Sequence, residues 1–291
     1  MDLSTMITRV TKSKEIRDNV VFSSIDETTD LTQDYLDFNI VVIDDFVSKE
    51  DIAILQDSQV KNANNYDVGK KMSVTDLIKK PSRLFRNEES ARILKNLYLK
   101  LSEFSIERYG QLRKNLVVSY FQNKLRGDVK PDQFNLRFRD VQEAEDMHLD
   151  RYSFEPLRIF VNLDALPRVW RTSHDQIECM SMLSRKKVFA TSFDGPVSFE
   201  DIPDRSDTKE TKISKKFKDN VNGKINSTIL YDYEKKENLS PYHEIEFGSG
   251  SIWIVNTKRV SHQLVSGRRV GVFSRFYPAL QLTSENLPDV L

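Results

Sequence analysis

From residue 116 to residue 277 the chain breaks into short β-branched and aromatic runs, at 116–121, 133–139, 157–163, 187–192, 227–233, 251–256 and 270–277, with turn-forming residues between them. A strand that short cannot bury an apolar face alone, and a succession of them closes into a sandwich or jelly roll. Helical periodicity is confined to the part before residue 116. Ile93, Leu97, Leu101 and Phe104 recur at three- and four-residue spacing, which predicts a core-facing helix over about 87–109. Asn87 is placed to cap its start, and Gly110 stands where a left-handed residue would end it. Residues 39–47 predict a strand, and Ser48 followed by Glu50 and Asp51 predicts the N-cap and acidic first turn of another helix. The first 35 residues are polar and aperiodic, and are expected to be only partly ordered. The expected organisation is therefore mainly β with flanking helices (α+β). A partly disordered segment over 1–35 precedes a mostly helical extension over 36–115 and a β core over 116–291, which carries a long polar, mobile loop at about 203–224.

Composition narrows the function classes. Lys plus Arg and Asp plus Glu both number 44, so nothing in the overall charge favours nucleic acid or an anionic membrane. Cys179 is the single cysteine, which precludes an intrachain disulfide framework, suits a reducing compartment and reads as a small buried residue. Charged residues are spread through the first twenty positions, and no stretch approaches the roughly 20 apolar residues of a membrane span. A cytoplasmic protein without a transmembrane segment is expected.

Four histidines occur: His148, His174, His243 and His262. In His148-Leu149-Asp150 the two outer side chains point to the same face of an extended strand, so both can reach one metal ion. His262 can supply a third ligand from a distant strand, completing a facial triad of two imidazoles and one carboxylate that leaves positions open for substrate and dioxygen on iron. His174-Asp175 and His243-Glu244 are rival pairs without a matching strand context. Trp170 and Trp253 read as core aromatics. Gln133, Asn135 and Arg137 alternate with Phe134, Leu136 and Phe138, which gives a polar strand face that points either into the barrel or to solvent.

The surroundings of these residues carry a resemblance. After His148-Leu149-Asp150 comes Leu157-Arg-Ile-Phe-Val-Asn-Leu163, and later Phe247-Gly-Ser-Gly-Ser-Ile-Trp-Ile-Val-Asn256 leads towards His262. The order resembles that of the Fe(II)- and 2-oxoglutarate-dependent oxygenases. The resemblance implies a double-stranded β-helix (jelly-roll, cupin-like) core, Fe(II) held by His148, Asp150 and His262, 2-oxoglutarate as co-substrate, and O2. It also implies a basic residue beyond the distal histidine for the far carboxylate of 2-oxoglutarate. Arg269 fits the Gly-x-Arg pattern, Arg275 fits the usual separation from the histidine, and Arg268 is expected to be solvated on the other face. Retention of Asp150 favours hydroxylation over halogenation. A hydrolase binding zinc through the same three residues is a rival, but no motif places its general base.

Pro167-Arg-Val-Trp-Arg171 and its surroundings are similar to the Kdo hydroxylases, which act on the eight-carbon sugar acid 3-deoxy-D-manno-octulosonate. Further similarity touches most of the chain from about residue 60. It implies that Arg168 or Arg171 contacts a carboxylate of substrate or co-substrate; the alternating polar face of Gln133, Asn135 and Arg137 is expected to add carboxylate and hydroxyl partners if it points into the barrel. Residues 140–147 and 151–154 depart from the Kdo pattern, so the expected substrate is a small polar acid, with Kdo or a related sugar acid placed before an amino acid or other natural-product intermediate. Peripheral membrane contact is expected only if that acid is lipid-linked, and the oligomeric state is left open. A non-catalytic jelly-roll module that binds a sugar acid or a metal is the alternative of a different class.

Overall fold

A computed structural model describes residues 8–14, 16–57, 88–112, 132–141, 147–150, 155–175 and 242–277. The described elements run β1 (Arg9–Thr11), β2 (Val20–Phe22), α1 (Thr32–Leu36), β3 (Ile40–Ile43), α2 (Lys49–Asp57), α3 (Glu88–Arg108), β4 (Gln133–Val141), β5 (Glu155–Asn162), β6 (Arg168–Asp175), β7 (His243–Phe247), β8 (Ile252–Val255) and β9 (Val260–Tyr277). Their strands form one curled nine-stranded sheet in the order β1-β7-β6-β9-β5-β8-β3-β2, with β4 also pairing on β9. All pairs are antiparallel except β2 with β3. This is the expected jelly-roll core with helices on one side.

The 18-residue β9 makes the curl. Its first half pairs with β6, Leu264 opposite Trp170, and its second half pairs with β5 and β4, Val272 opposite Phe160 and Asn135. At the crossover Gly267 has φ 145°, and a Cβ there would come within 2.7 Å of Arg168 Cγ. No other residue suits that passage without strain. A second tight approach closes the turn between β7 and β8. Gly250 has φ 76°, and an added Cβ would sit 2.3 Å from the Val47 carbonyl oxygen.

Strand alternation separates two cores. Ile40, Val42, Phe160, Trp170, Phe247, Trp253, Val255, Val260, Leu264, Val270 and Val272 fill the inside of the sandwich. Val41, Ile43, Phe134, Leu136, Leu157, Ile159, Val161, Ile252, Ile254, Phe273 and Tyr277 face the other way, against the helices. The helix predicted from periodicity supplies Ile93, Leu97, Leu101 and Phe104 to that outer core, as expected. Ser48 Oγ accepts the Asp51 N–H at 3.1 Å, so the predicted cap of α2 is present. Gly110 does not take the left-handed conformation; a further helical turn follows at 110–112 instead.

The N-terminal part is more deeply built in than its polarity predicts. β1 extends one end of the sheet on β7, and β2 extends the other end on β3. β3 itself lies within the sheet beside β8. Arg108, at the end of α3, donates to the carbonyls of Thr29 and Glu27 at 2.7 and 2.6 Å and so fastens this segment to the outer core. Backbone pairing and one buried guanidinium thus order a stretch that has few apolar residues of its own. β6 and β7 were not predicted as strands. The expected strands at 116–121, 187–192 and 227–233, the loop at 203–224, the Asn87 cap and Cys179 lie outside the described residues. Among the described residues, no helix is long and apolar enough to cross a membrane.

Candidate metal centre

Residues 147–150 run antiparallel to the start of β9. His148 and His262 oppose each other, each N–H donating to the other's carbonyl at 3.0 Å, and the Asp150 N–H donates to Thr257 O at 2.8 Å. Pairing fixes the register, and alternation puts His148 and Asp150 on one face. The ligand atoms of His148, Asp150 and His262 consequently lie within 4.8 Å of one another. His262 Nδ1 is 3.0 Å from the Val260 carbonyl, which can only accept, so the proton sits on Nδ1 and Nε2 keeps its lone pair. Nε2 is 4.0 Å from Asp150 Oδ2. The Trp170 indole stacks on His262, with centroids 5.2 Å apart and planes 21° from parallel. Two imidazoles and one carboxylate, converging from two paired segments, fit a divalent metal such as Fe(II) with open coordination positions.

A cation that sequence reasoning missed completes the electrostatics. Arg158 on β5 donates through Nη1 to the Asp150 carboxylate and to Thr257 Oγ1, the latter at 3.3 Å. Burial pushes the Asp150 pKa up, but the Arg158 charge, helped by His262, His148 and the Thr257 hydrogen bond, outweighs it and brings the value to about 2. His262 moves the other way for a base: burial first, then His148, lower its pKa to about 4 against the pull of Asp150. The only available signal for Arg158 was a single charge within an otherwise apolar strand run.

The arginines expected beyond the distal histidine do not join the triad. His262, Leu264, Val270 and Val272 are on the inner face of β9, whereas Arg269 and Arg275 alternate onto the outer face. Arg269 donates to the Leu55 carbonyl of α2. Arg275 grips Asp132 through Nε and Nη2, at 3.1 and 2.6 Å, and donates to Ser105 Oγ of α3 at 2.5 Å. Arg268 is exposed and pairs with buried Asp164 at 2.9 Å. Arg171 pairs with Glu244 at 2.9 Å on the outside of β6 and stacks over Tyr242, while Arg168 is buried against Gly267, four residues along β6 from the partner of His262.

On β4, Gln133 stands opposite Ser274, Asn135 opposite Val272 and Arg137 opposite Val270, which is the inner-face register. The rival histidines are occupied by structure. His243 Nδ1 accepts the Ser13 N–H at 2.8 Å and its Nε2–H donates to the Arg17 carbonyl at 3.1 Å, pinning the N-terminal segment. His174 Nδ1 is 2.9 Å from Ser173 Oγ.

Acid stability follows from the His262 shift. Between its ordinary value of 6.5 and about 4 the unfolded chain binds a proton that the folded chain refuses, so stability falls as pH falls through that window. The Asp150 contribution is held down to about 3.8 and is lost only towards 2. Urea denaturation of metal-free protein should therefore show that going from pH 7 to about 4.5 costs wild type about 2 kcal/mol more than it costs His262→Gln. Parallel losses in the two proteins would count against this burial of His262.

No protein-family model matches the chain, and no curated protein matches its sequence. Its structure is similar to that of the Kdo hydroxylase KdoO, a non-heme Fe(II) alphaketoglutarate-dependent dioxygenase. The cobalt(II) complex of that enzyme superposes with a TM-score of 0.52 at 14% identity, over 89% of each chain. The complex with succinate and Fe(III) gives a TM-score of 0.50, also at 14% identity and over 89% of each chain. The chain shares the jelly-roll fold of that enzyme.

Proposed function

We propose that the protein is an Fe(II)- and 2-oxoglutarate-dependent oxygenase that hydroxylates an unactivated C–H bond of a small polar acid, a sugar acid of the Kdo kind before an amino acid. The observation that carries this reading is the convergence of the His148, Asp150 and His262 ligand atoms within 4.8 Å of one another beside the start of β9. When bound there, iron with 2-oxoglutarate supplies oxidative decarboxylation to succinate and carbon dioxide, coupled to insertion of one oxygen atom into a C–H bond. The chain's own residues do the rest. Val260 holds His262 in the tautomer that leaves Nε2 available, and Trp170 fixes the ring plane. Asp150 stays ionised throughout the physiological range. Trp170, Phe160, Val255 and Leu264 exclude water from the sandwich interior beside the ligands. Gln133 and Asn135, on the inner face of β4, offer amide partners to hydroxyl and carboxylate groups.

Similarity of fold to the Kdo hydroxylase KdoO and the Pro167-to-Arg171 segment support a sugar acid. Half-buried amides that an apolar compound would cover without partners would cost up to about 1 to 3 kcal/mol each, which disfavours terpenes and fatty acyl chains. The test has two parts. Anaerobic Fe(II) plus 2-oxoglutarate should give a weak visible charge-transfer band, and succinate formation should then be stimulated by free or lipid-linked Kdo or another polar acid. Absence of the band would leave a binding module, and equal stimulation by an apolar compound would sink the substrate class.

A further inference from the structure

Arg158 is buried, 7% exposed, with its guanidinium over the Phe160 ring at 4.8 Å. Strand register sets it opposite Ser274 of β9, and Ser274 opposite Gln133 of β4. Three neighbouring strands therefore carry a polar row, Gln133, Ser274 and Arg158, on the inner face at the level of Asp150. Arg158 touches the triad through the Asp150 carboxylate. Its present partner is a ligand that a metal would claim. The Asp150 carboxylate and the Arg158 guanidinium balance each other. Once Asp150 turns to a dication, the pocket carries the dication and the guanidinium against a single carboxylate. Excess buried charge of that kind is costly unless an anion enters. A dicarboxylate restores neutrality, and a guanidinium flanked by a hydroxyl and an amide matches a carboxylate in shape and donors.

We propose that Arg158 is a transferable counter-ion, which pairs with Asp150 and, once a metal claims that carboxylate, grips the carboxylate of the 2-oxo acid that lies away from the metal, with Ser274 and Gln133 beside it. This rests on the oxygenase reading and assigns the carboxylate anchor to β5 instead of β9. Metal and dicarboxylate then bind in that order, and each strengthens the other.

The test uses full-length protein loaded with Co(II) and calorimetric titration with 2-oxoglutarate and with 2-oxobutyrate, which lacks the far carboxylate. Wild type should prefer 2-oxoglutarate by at least about tenfold, the order expected for one charge-assisted pair. Arg158→Gln should reduce that preference to about threefold or less while binding Co(II) at least as tightly as wild type, because no guanidinium competes for Asp150. Arg158→Lys, which keeps the charge without the fork, should lose at least about threefold of the preference and serves if the Gln variant does not fold. A preference that survives in either variant overturns the proposal. So does weaker Co(II) binding by Arg158→Gln, which would make Arg158 a support for Asp150 alone. If Co(II) binds wild type and His262→Ala equally, the metal centre itself is misassigned, and the oxygenase reading falls independently of Arg158.

Discussion

Alanine in place of His262 should abolish metal-dependent turnover and leave a folded protein. The imidazole presents Nε2 to the same point as Asp150, at 4.0 Å from its Oδ2, and its partner His148 approaches through a ring contact of 4.5 Å between centroids. With one of three protein ligands gone, the remaining pair cannot hold a divalent ion in a fixed facial geometry. The loss should exceed the roughly 10- to 100-fold that follows removal of a residue that merely supports a ligand. His148→Ala and Asp150→Ala should behave in the same way. His174→Ala and His243→Ala should keep most of the activity, because their ring nitrogens serve Ser173 and the N-terminal backbone. Co(II) titration with circular dichroism on the same samples separates ligand loss from unfolding. A His262→Ala protein that binds Co(II) with wild-type affinity would remove His262 from the centre.

The clustering of His148, Asp150 and His262 was legible because its logic is local. Alternation puts His148 and Asp150 on one face whatever the rest of the chain does, and a histidine just before the final strand run was the remaining donor in a suitable context. The α3 stripe and the Ser48 cap were legible for the same reason. β6 and β7 were not, because the charges that obscure them are partners across the sheet: Arg171 and Glu244 are 73 residues apart in sequence and meet only on the outer face. Arg158 was hidden in a similar way, since a lone arginine in an apolar strand reads as an irregularity until Asp150 is seen beside it. The carboxylate anchor turns on strand parity. If residues 260–277 are read as one continuous strand, His262 shares a face with Ser274, and Arg269 and Arg275 fall on the other. β9 bends at Gly267, where its register against β6 shifts between Leu264 and Ser266, and the inner face carries Leu264 before the bend and Val270 and Val272 after it.

From that parity, removal of Arg275 is expected to be felt in stability and not in ligand affinity. It joins β9 to Asp132 by a forked contact and to α3 through Ser105 Oγ and Ser102 Oγ, at 2.5 and 3.1 Å, so one side chain ties the outer face of the sheet to the helical layer. The pair is mostly buried, with side-chain exposures of 16% for Arg275 and 26% for Asp132. Arg275→Ala would leave a half-buried carboxylate and two serine hydroxyls without their donor, a loss of about 3 kcal/mol after allowing for residual solvent access. A comparable cost is expected for Asp132→Ala, and the double variant should lose less than the two single losses added together, since both remove the same interaction. Chemical denaturation of the three variants measures this. In the same proteins loaded with Co(II), 2-oxoglutarate should bind within about twofold of wild type, because no part of this network faces the triad. The opposite pattern, unchanged stability with a tenfold or greater loss of 2-oxoglutarate affinity in Arg275→Ala, would return the anchor to β9 and require the strand to turn its outer face inward on binding.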